Sequence, residues 1–61
     1  MKAREIIRVI EEDGWKLKRQ TGSHMHFAHL SKPGIVTVPF HGSKDLPKFI
    51  VASILKQAGL K

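Results

Sequence analysis

The sequence predicts an α+β fold of order α-β-β-β-α: a three-stranded antiparallel sheet with both helices on one face. Three observations predict it. Apolar residues recur at helical spacing at each end of the chain, the middle alternates with the two-residue period of strands, and short glycine-bearing turns separate the alternating runs. A sheet of three short strands has one apolar face to bury. Two helices can cover that face while the other stays in solvent.

At the first helix, Ala3, Ile6, Ile7 and Ile10 recur at helical spacing with Arg4, Glu5, Arg8, Glu11 and Glu12 between them, which predicts a helix over Lys2 to Glu12. Asp13-Gly14 closes it, since glycine readily takes the left-handed conformation that ends helices. Trp15-Lys16-Leu17-Lys18-Arg19-Gln20 then alternates as a first strand, with Trp15 and Leu17 on one face and Lys16, Lys18 and Gln20 on the other. Thr21-Gly22-Ser23 supplies a turn, and His24 to His29 form a second, antiparallel strand with Met25 and Phe27 toward the core. Ser31-Lys32-Pro33-Gly34 is the next turn. Ile35-Val36-Thr37-Val38-Pro39, rich in β-branched residues, is the third strand. Pro39 has no amide hydrogen and belongs at a strand end or edge.

After the polar loop His41-Gly42-Ser43-Lys44, Asp45 is placed to cap the last helix, with Pro47 tolerated in its first turn. Leu46, Phe49, Ile50, Ile54 and Ala58 are expected on one helical face, and Gly59 is a natural stop. Alternation divides the sheet. The covered face takes Trp15, Leu17, Met25, Phe27, Val36 and Val38; the open face takes Lys16, Lys18, His24, His26, Ile35 and Thr37. A one-residue bulge would shift this parity. Trp15, Phe27 and Phe49 read as core. His29 has core-face parity at a strand end.

The 61 residues suit one domain over residues 1–61. A chain this short buries only roughly 60% of the surface it exposes when unfolded, so every apolar stripe is needed. The absence of cysteine excludes disulfides and thiolate metal sites. Met1 to Arg8 do not look like a signal peptide, and no run approaches the roughly 18 apolar residues of a membrane span. A cytoplasmic protein without membrane contact is expected. Lys and Arg number 11 against 5 Asp and Glu, for a net charge of +6, which favours a polyanionic partner and nucleic acid first.

The segment Thr21-Gly22-Ser23-His24-Met25-His26-Phe27 carries the candidate chemistry. RNA supplies its own nucleophile, the 2′-hydroxyl. Cleavage needs a base for that proton, an acid for the leaving 5′-oxygen and positive charge near the phosphorane. Histidine serves either proton transfer. His24 and His26 alternate onto the open face, beside Lys16 and Lys18, and the hydroxyls of Ser23 and Thr37 add RNA-contacting groups. His41 either swings toward this face or only hydrogen-bonds within its loop. The histidine pair has a spacing that a metal could use, but the acidic residues lie around the first helix, apart from Asp45, so neither a metal nor a cofactor is expected. The residues alone leave two readings: an endoribonuclease working through His24, or a non-catalytic RNA-binding module using the same basic face.

With these residues in view, nearly the whole chain resembles the HicA family, the small toxins of HicA–HicB toxin–antitoxin systems. The likeness rests on Asp13-Gly14-Trp15 after the first helix, on Gly22-Ser23-His24 followed by Phe27, on Thr37-Val38-Pro39-Phe40-His41, and on the ending Ile54-Leu55-Lys56-Gln57-Ala58-Gly59-Leu60. It implies a fold like the double-stranded-RNA-binding domain and a metal-independent mRNA interferase activity. His24 would be the catalytic histidine, with His26 and His41 as possible helpers only on the residue argument. It also implies a HicB-type antitoxin covering the active face, so that the chain is a monomer alone and part of a hetero-oligomer with its antitoxin. Leu46-Pro47-Lys48-Phe49 departs from the family's commoner Gly-Thr-Leu type of helix start, so contacts there are not carried over.

Overall fold

The computed structural model describes all 61 residues and has the expected order: α1 (Ala3–Glu12), β1 (Lys16–Thr21), β2 (His24–Ala28), β3 (Val36–Pro39) and α2 (Lys48–Gln57). The strands form one antiparallel sheet in the order β1-β2-β3. Both helices pack on the face that carries Phe27, Val36 and Val38. Together with Ala3, Ile6, Ile10, Trp15, Leu46, Ile54 and Ala58, these three residues make a ten-residue core. No polar or charged residue is buried.

The two helices share one device for stopping. In α1 the Gly14 N–H donates to the Glu11 carbonyl and the Trp15 N–H to the Ile10 carbonyl; in α2 the Gly59 and Leu60 N–H groups donate to Lys56 and Leu55. This pair of bonds is the Schellman motif, and it needs a residue with positive φ at each bend, here Gly14 at +106° and Gly59 at +71°. At the other end of α1, the Glu5 carboxylate accepts the Lys2 N–H at 2.7 Å, which satisfies a donor the helix leaves free.

Three sequence expectations give way here. Asp45 does not cap α2; Pro47 occupies that position with no side-chain cap. Asp45 instead pairs with Lys2 as an isolated bridge, with the Lys2 ammonium at 3.6 Å and the N-terminal amine at 3.9 Å. Leu46 donates to the Met1 carbonyl and Lys2 Nζ to the Ser43 carbonyl, so the loop after β3 is held by the N-terminus rather than by α2. Phe49 is 73% exposed: the stripe of α2 that packs is Ile50, Val51, Ile54, Leu55 and Ala58, and Phe49 falls outside it. Leu17 pairs across from Phe27 and shares its face, yet is 48% exposed, because the helices lie over the β3 side of the sheet and β1 overhangs them.

Both outer strands are protected against pairing with other chains. Lysine, arginine and a bulge occupy β1, three devices that blunt an edge. On β3 the outward Thr37 N–H donates to the Gln57 side-chain oxygen at 3.2 Å, and Ser53 holds the Gln57 amide in turn.

A polar cluster ties the end of α1 to the loop before β3. His29 Nε2 donates to the Asp13 carbonyl at 2.7 Å, while its Nδ1 accepts from the Ser31 and Lys32 N–H groups at 3.0 and 3.1 Å. The neutral tautomer with the proton on Nε2 satisfies all three bonds. The ring meets Trp15 edge-on at 5.2 Å. Lys32 Nζ bridges the Asp13 carboxylate and the Ala58 carbonyl, joining both helix ends. The buried Trp15 Nε1 has no hydrogen-bond partner. It still favours the charged form of the nearby Asp13 carboxylate.

The Lys32 ammonium, more than any other group, holds the Asp13 carboxyl below its ordinary pKa of 3.8. A lowered folded-state pKa means that the unfolded chain binds more protons in this range. The pair's stabilisation is therefore present above the unfolded pKa and is lost as the pH falls through the folded one. The gap in melting temperature between the wild type and Asp13→Asn is expected to hold down to about pH 5 and to narrow as the pH falls through and below the ordinary carboxylate value of 3.8. A gap that stays constant over this range would show that the ion pair does not stabilise the fold.

Candidate functional site

The site is built on the turn between β1 and β2. Gly22 has φ +58°, while Ser23, like every other non-glycine residue, has negative φ. Glycine first and an ordinary residue second is the pattern of a type II′ hairpin turn, which matches the twist of the strands it joins. The Ser23 carbonyl accepts the Phe40 N–H at 2.6 Å, so the turn is also anchored to the chain leaving β3. His24 follows as the first residue of β2, between Thr21 on β1 and Pro39 on β3, with its side chain exposed.

His26 is the next open-face residue of β2. Its neighbours are Arg19 on β1 and Thr37 on β3. Its Nδ1 lies 3.1 Å from Thr37 Oγ1, and the ring is half-buried. The Thr37 N–H points outward to Gln57, so His26 and Thr37 form a non-hydrogen-bonded pair, the kind that brings side chains closest. A third row pairs Lys16 with Ala28.

The register slips between Leu17 and Arg19, so that both Lys18 and Arg19 face the single residue His26. This β-bulge changes the predicted parity. Lys16 and Lys18 stay on the open face, but Arg19 and Thr21 join them, and Gln20 turns to the other side opposite Met25. Lys18, Arg19, His26 and Ile35 line a shallow hollow of about 260 Å³.

The structure thus brings His24, His26, Lys18 and Thr37 onto one surface, with Lys16 one row further and Ser23 in the turn beside His24. His41 is exposed in the loop after β3, at the sheet end where Pro39 pairs with His24. Arg19 escaped the alternation argument because only the bulge aims it. His29 turns out to be a structural residue, its two ring nitrogens engaged by the Asp13 carbonyl and by Ser31 and Lys32.

The site is electrostatically one-sided. No Asp or Glu occurs between Asp13 and Asp45, whereas that stretch contains Lys16, Lys18, Arg19, Lys32 and Lys44 and all four histidines. Clustered charge of one sign attracts an anion before contact and holds it afterwards. No three His, Asp or Glu side chains gather at metal-ligating distance. The arrangement offers an exposed imidazole at His24, a half-buried one at His26 and cations for phosphate on one accessible surface.

No curated protein sequence matches the chain significantly. The family model of the HicA toxin of bacterial toxin–antitoxin systems matches residues 3–60, from the first residue of α1 to the residue after the Gly59 stop. The match takes in the hairpin, the bulged strand and both helices, and the chain belongs to the HicA toxin family of bacterial toxin–antitoxin systems.

Proposed function

We propose that this toxin is an endoribonuclease that cleaves mRNA by histidine acid–base chemistry at His24. The supporting observation is the exposed His24, set by a tight turn onto the open basic face of a HicA-family chain. In the proposed reaction a base removes the 2′-hydroxyl proton, the 2′-oxygen bonds to phosphorus, the bond to the 5′-oxygen breaks, and an acid protonates that oxygen. His24 is the main acid–base residue, with His26 and His41 as helpers. Lys16 and Lys18, with the hydroxyls of Ser23 and Thr37, hold the phosphate and offset its developing charge. The 2′-hydroxyl is the nucleophile, so this route calls for no metal or cofactor.

A HicB-type antitoxin neutralises the activity by covering the open face, whose Ile35 and Pro39 offer apolar area beside the charge. In this reading residues 1–61 act as one cytoplasmic domain, monomeric alone and hetero-oligomeric with the antitoxin. No helix is long and apolar enough to cross a membrane.

The products are expected to carry a 2′,3′-cyclic phosphate and a 5′-hydroxyl. Replacing the single ribose at the cleaved position by deoxyribose should abolish cutting there. An unchanged rate would exclude the 2′-hydroxyl route. Salt-sensitive RNA binding with no cleavage of any substrate would favour the alternative, a binding module using the same face.

A further inference from the structure

The bulge in β1 gives the open face a feature that His24 does not use. It sets two cations, Lys18 and Arg19, against one residue of β2 and encloses a hollow with His26 and Ile35. We propose that this hollow is an RNA subsite for the nucleotide next to the cleaved bond, with Arg19 as its phosphate clamp. The inference rests on the reading of His24 as the cleavage centre and extends it by one nucleotide: Lys18 and His26 border both positions, and Arg19 and Ile35 make the contacts that the cleavage step does not use.

Several observations converge on this assignment. Neither Lys18 nor Arg19 forms an ion pair within the chain, so both charges remain available to a ligand. The Arg19 guanidinium presents paired N–H donors that match two phosphate oxygens, which a lysine cannot do. Ile35 gives the hollow one apolar wall, 44% exposed, on which a base or ribose can rest. Thr37 engages His26 Nδ1 and holds the ring in place, leaving Nε2 as the imidazole's second polar group. His24 and His26 are two residues apart on one strand, roughly 7 Å. That is comparable with the step between successive phosphates of an extended single strand.

The test is direct binding of a fully 2′-O-methylated RNA oligonucleotide, which cannot be cleaved through its 2′-oxygen, followed by fluorescence anisotropy across a salt series. Arg19→Gln is expected to weaken binding about tenfold and to lower the log–log salt slope by about 0.7, the value for one phosphate contact on a single strand. Arg19→Lys should recover the slope but only part of the affinity, since it keeps the charge and loses the fork. Arg8→Gln, the same charge change on the exposed side of α1, should leave binding close to the wild type.

Equal affinity and slope for Arg19→Gln and Arg8→Gln would overturn the subsite. The measurement does not depend on cleavage. A catalytically irrelevant His24 would leave this result standing, whereas an ineffective Arg19→Gln beside an inactive His24→Ala would defeat the subsite alone.

Discussion

His24→Ala is expected to slow RNA cleavage by roughly 10²- to 10⁴-fold, the usual loss when a general acid–base group is removed, and to relieve the growth arrest caused by expressing the chain alone. The fold should survive the change. The His24 side chain is exposed, belongs to none of the ten core residues, and sits in a strand whose ladder on both sides is made by the backbone. Substitutions at such positions shift stability by no more than about 0.5 kcal/mol. Thermal unfolding of the variant should therefore overlay that of the wild type while single-turnover cleavage collapses. RNA affinity should fall far less than the rate, because Lys16, Lys18 and Arg19 remain. Equal toxicity and equal cleavage in the two chains would remove His24 from the mechanism, and a variant that fails to fold would contradict the placement of His24 outside the core.

The sequence disclosed which residues share the open face because β2 and β3 carry their own register marks. Met25, Phe27, Val36 and Val38 are apolar at alternate positions, and they pack toward the core. The histidines and Thr37 between them had only one face left to occupy. In β1 the run Lys18-Arg19-Gln20-Thr21 contains no apolar residue. With nothing to bury on either face, a one-residue slip leaves no trace in the pattern, and the bulge that turns Arg19 toward His26 was invisible.

Burial failed as a guide for a related reason. Leu17 and Phe49 sit in apolar patterns, but how far the helices reach over the sheet, and where α2 begins, are tertiary facts. Pro47 sits at the N-cap and α2 begins at Lys48, so Leu46 packs from outside the helix, while Phe49 lies outside the stripe that packs. His29 and Asp13 were legible as residues of interest but not as partners. Their link crosses 16 positions and depends on a backbone carbonyl, which carries no signal in residue type.

That link makes Gly14 the position where the smallest substitution should do most harm. Gly14 has φ +106°, a conformation that side chains rarely adopt, and a Cβ added there would lie 2.7 Å from His29 Nε2. The ring cannot move aside cheaply, since Nε2 is bonded to the Asp13 carbonyl and Nδ1 to the Ser31 and Lys32 N–H groups. Strained backbone costs about 1–3 kcal/mol, and overpacking adds about 1–3 kcal/mol. At roughly 0.05–0.15 kcal/mol per residue, a chain this small has only about 3–9 kcal/mol of stability in total.

Gly14→Ala is therefore expected to lower the melting temperature by at least about 8 °C, with each kcal/mol shifting it by about 4–8 °C in a domain of this size. Circular dichroism melts would measure it. A second variant separates the causes. His29→Ala removes the ring that the new methyl would strike, so Gly14→Ala should cost less in that background, and what remains is the backbone strain alone. A melting temperature within about 3 °C of the wild type for Gly14→Ala would mean that neither the strain nor the clash operates in solution. An identical cost in both backgrounds would assign the whole effect to φ. The latch of Asp13, His29 and Lys32 would then have room to yield, and the Asp13-Gly14-Trp15 element would be fixed by its helix-ending turn rather than by its packing against His29.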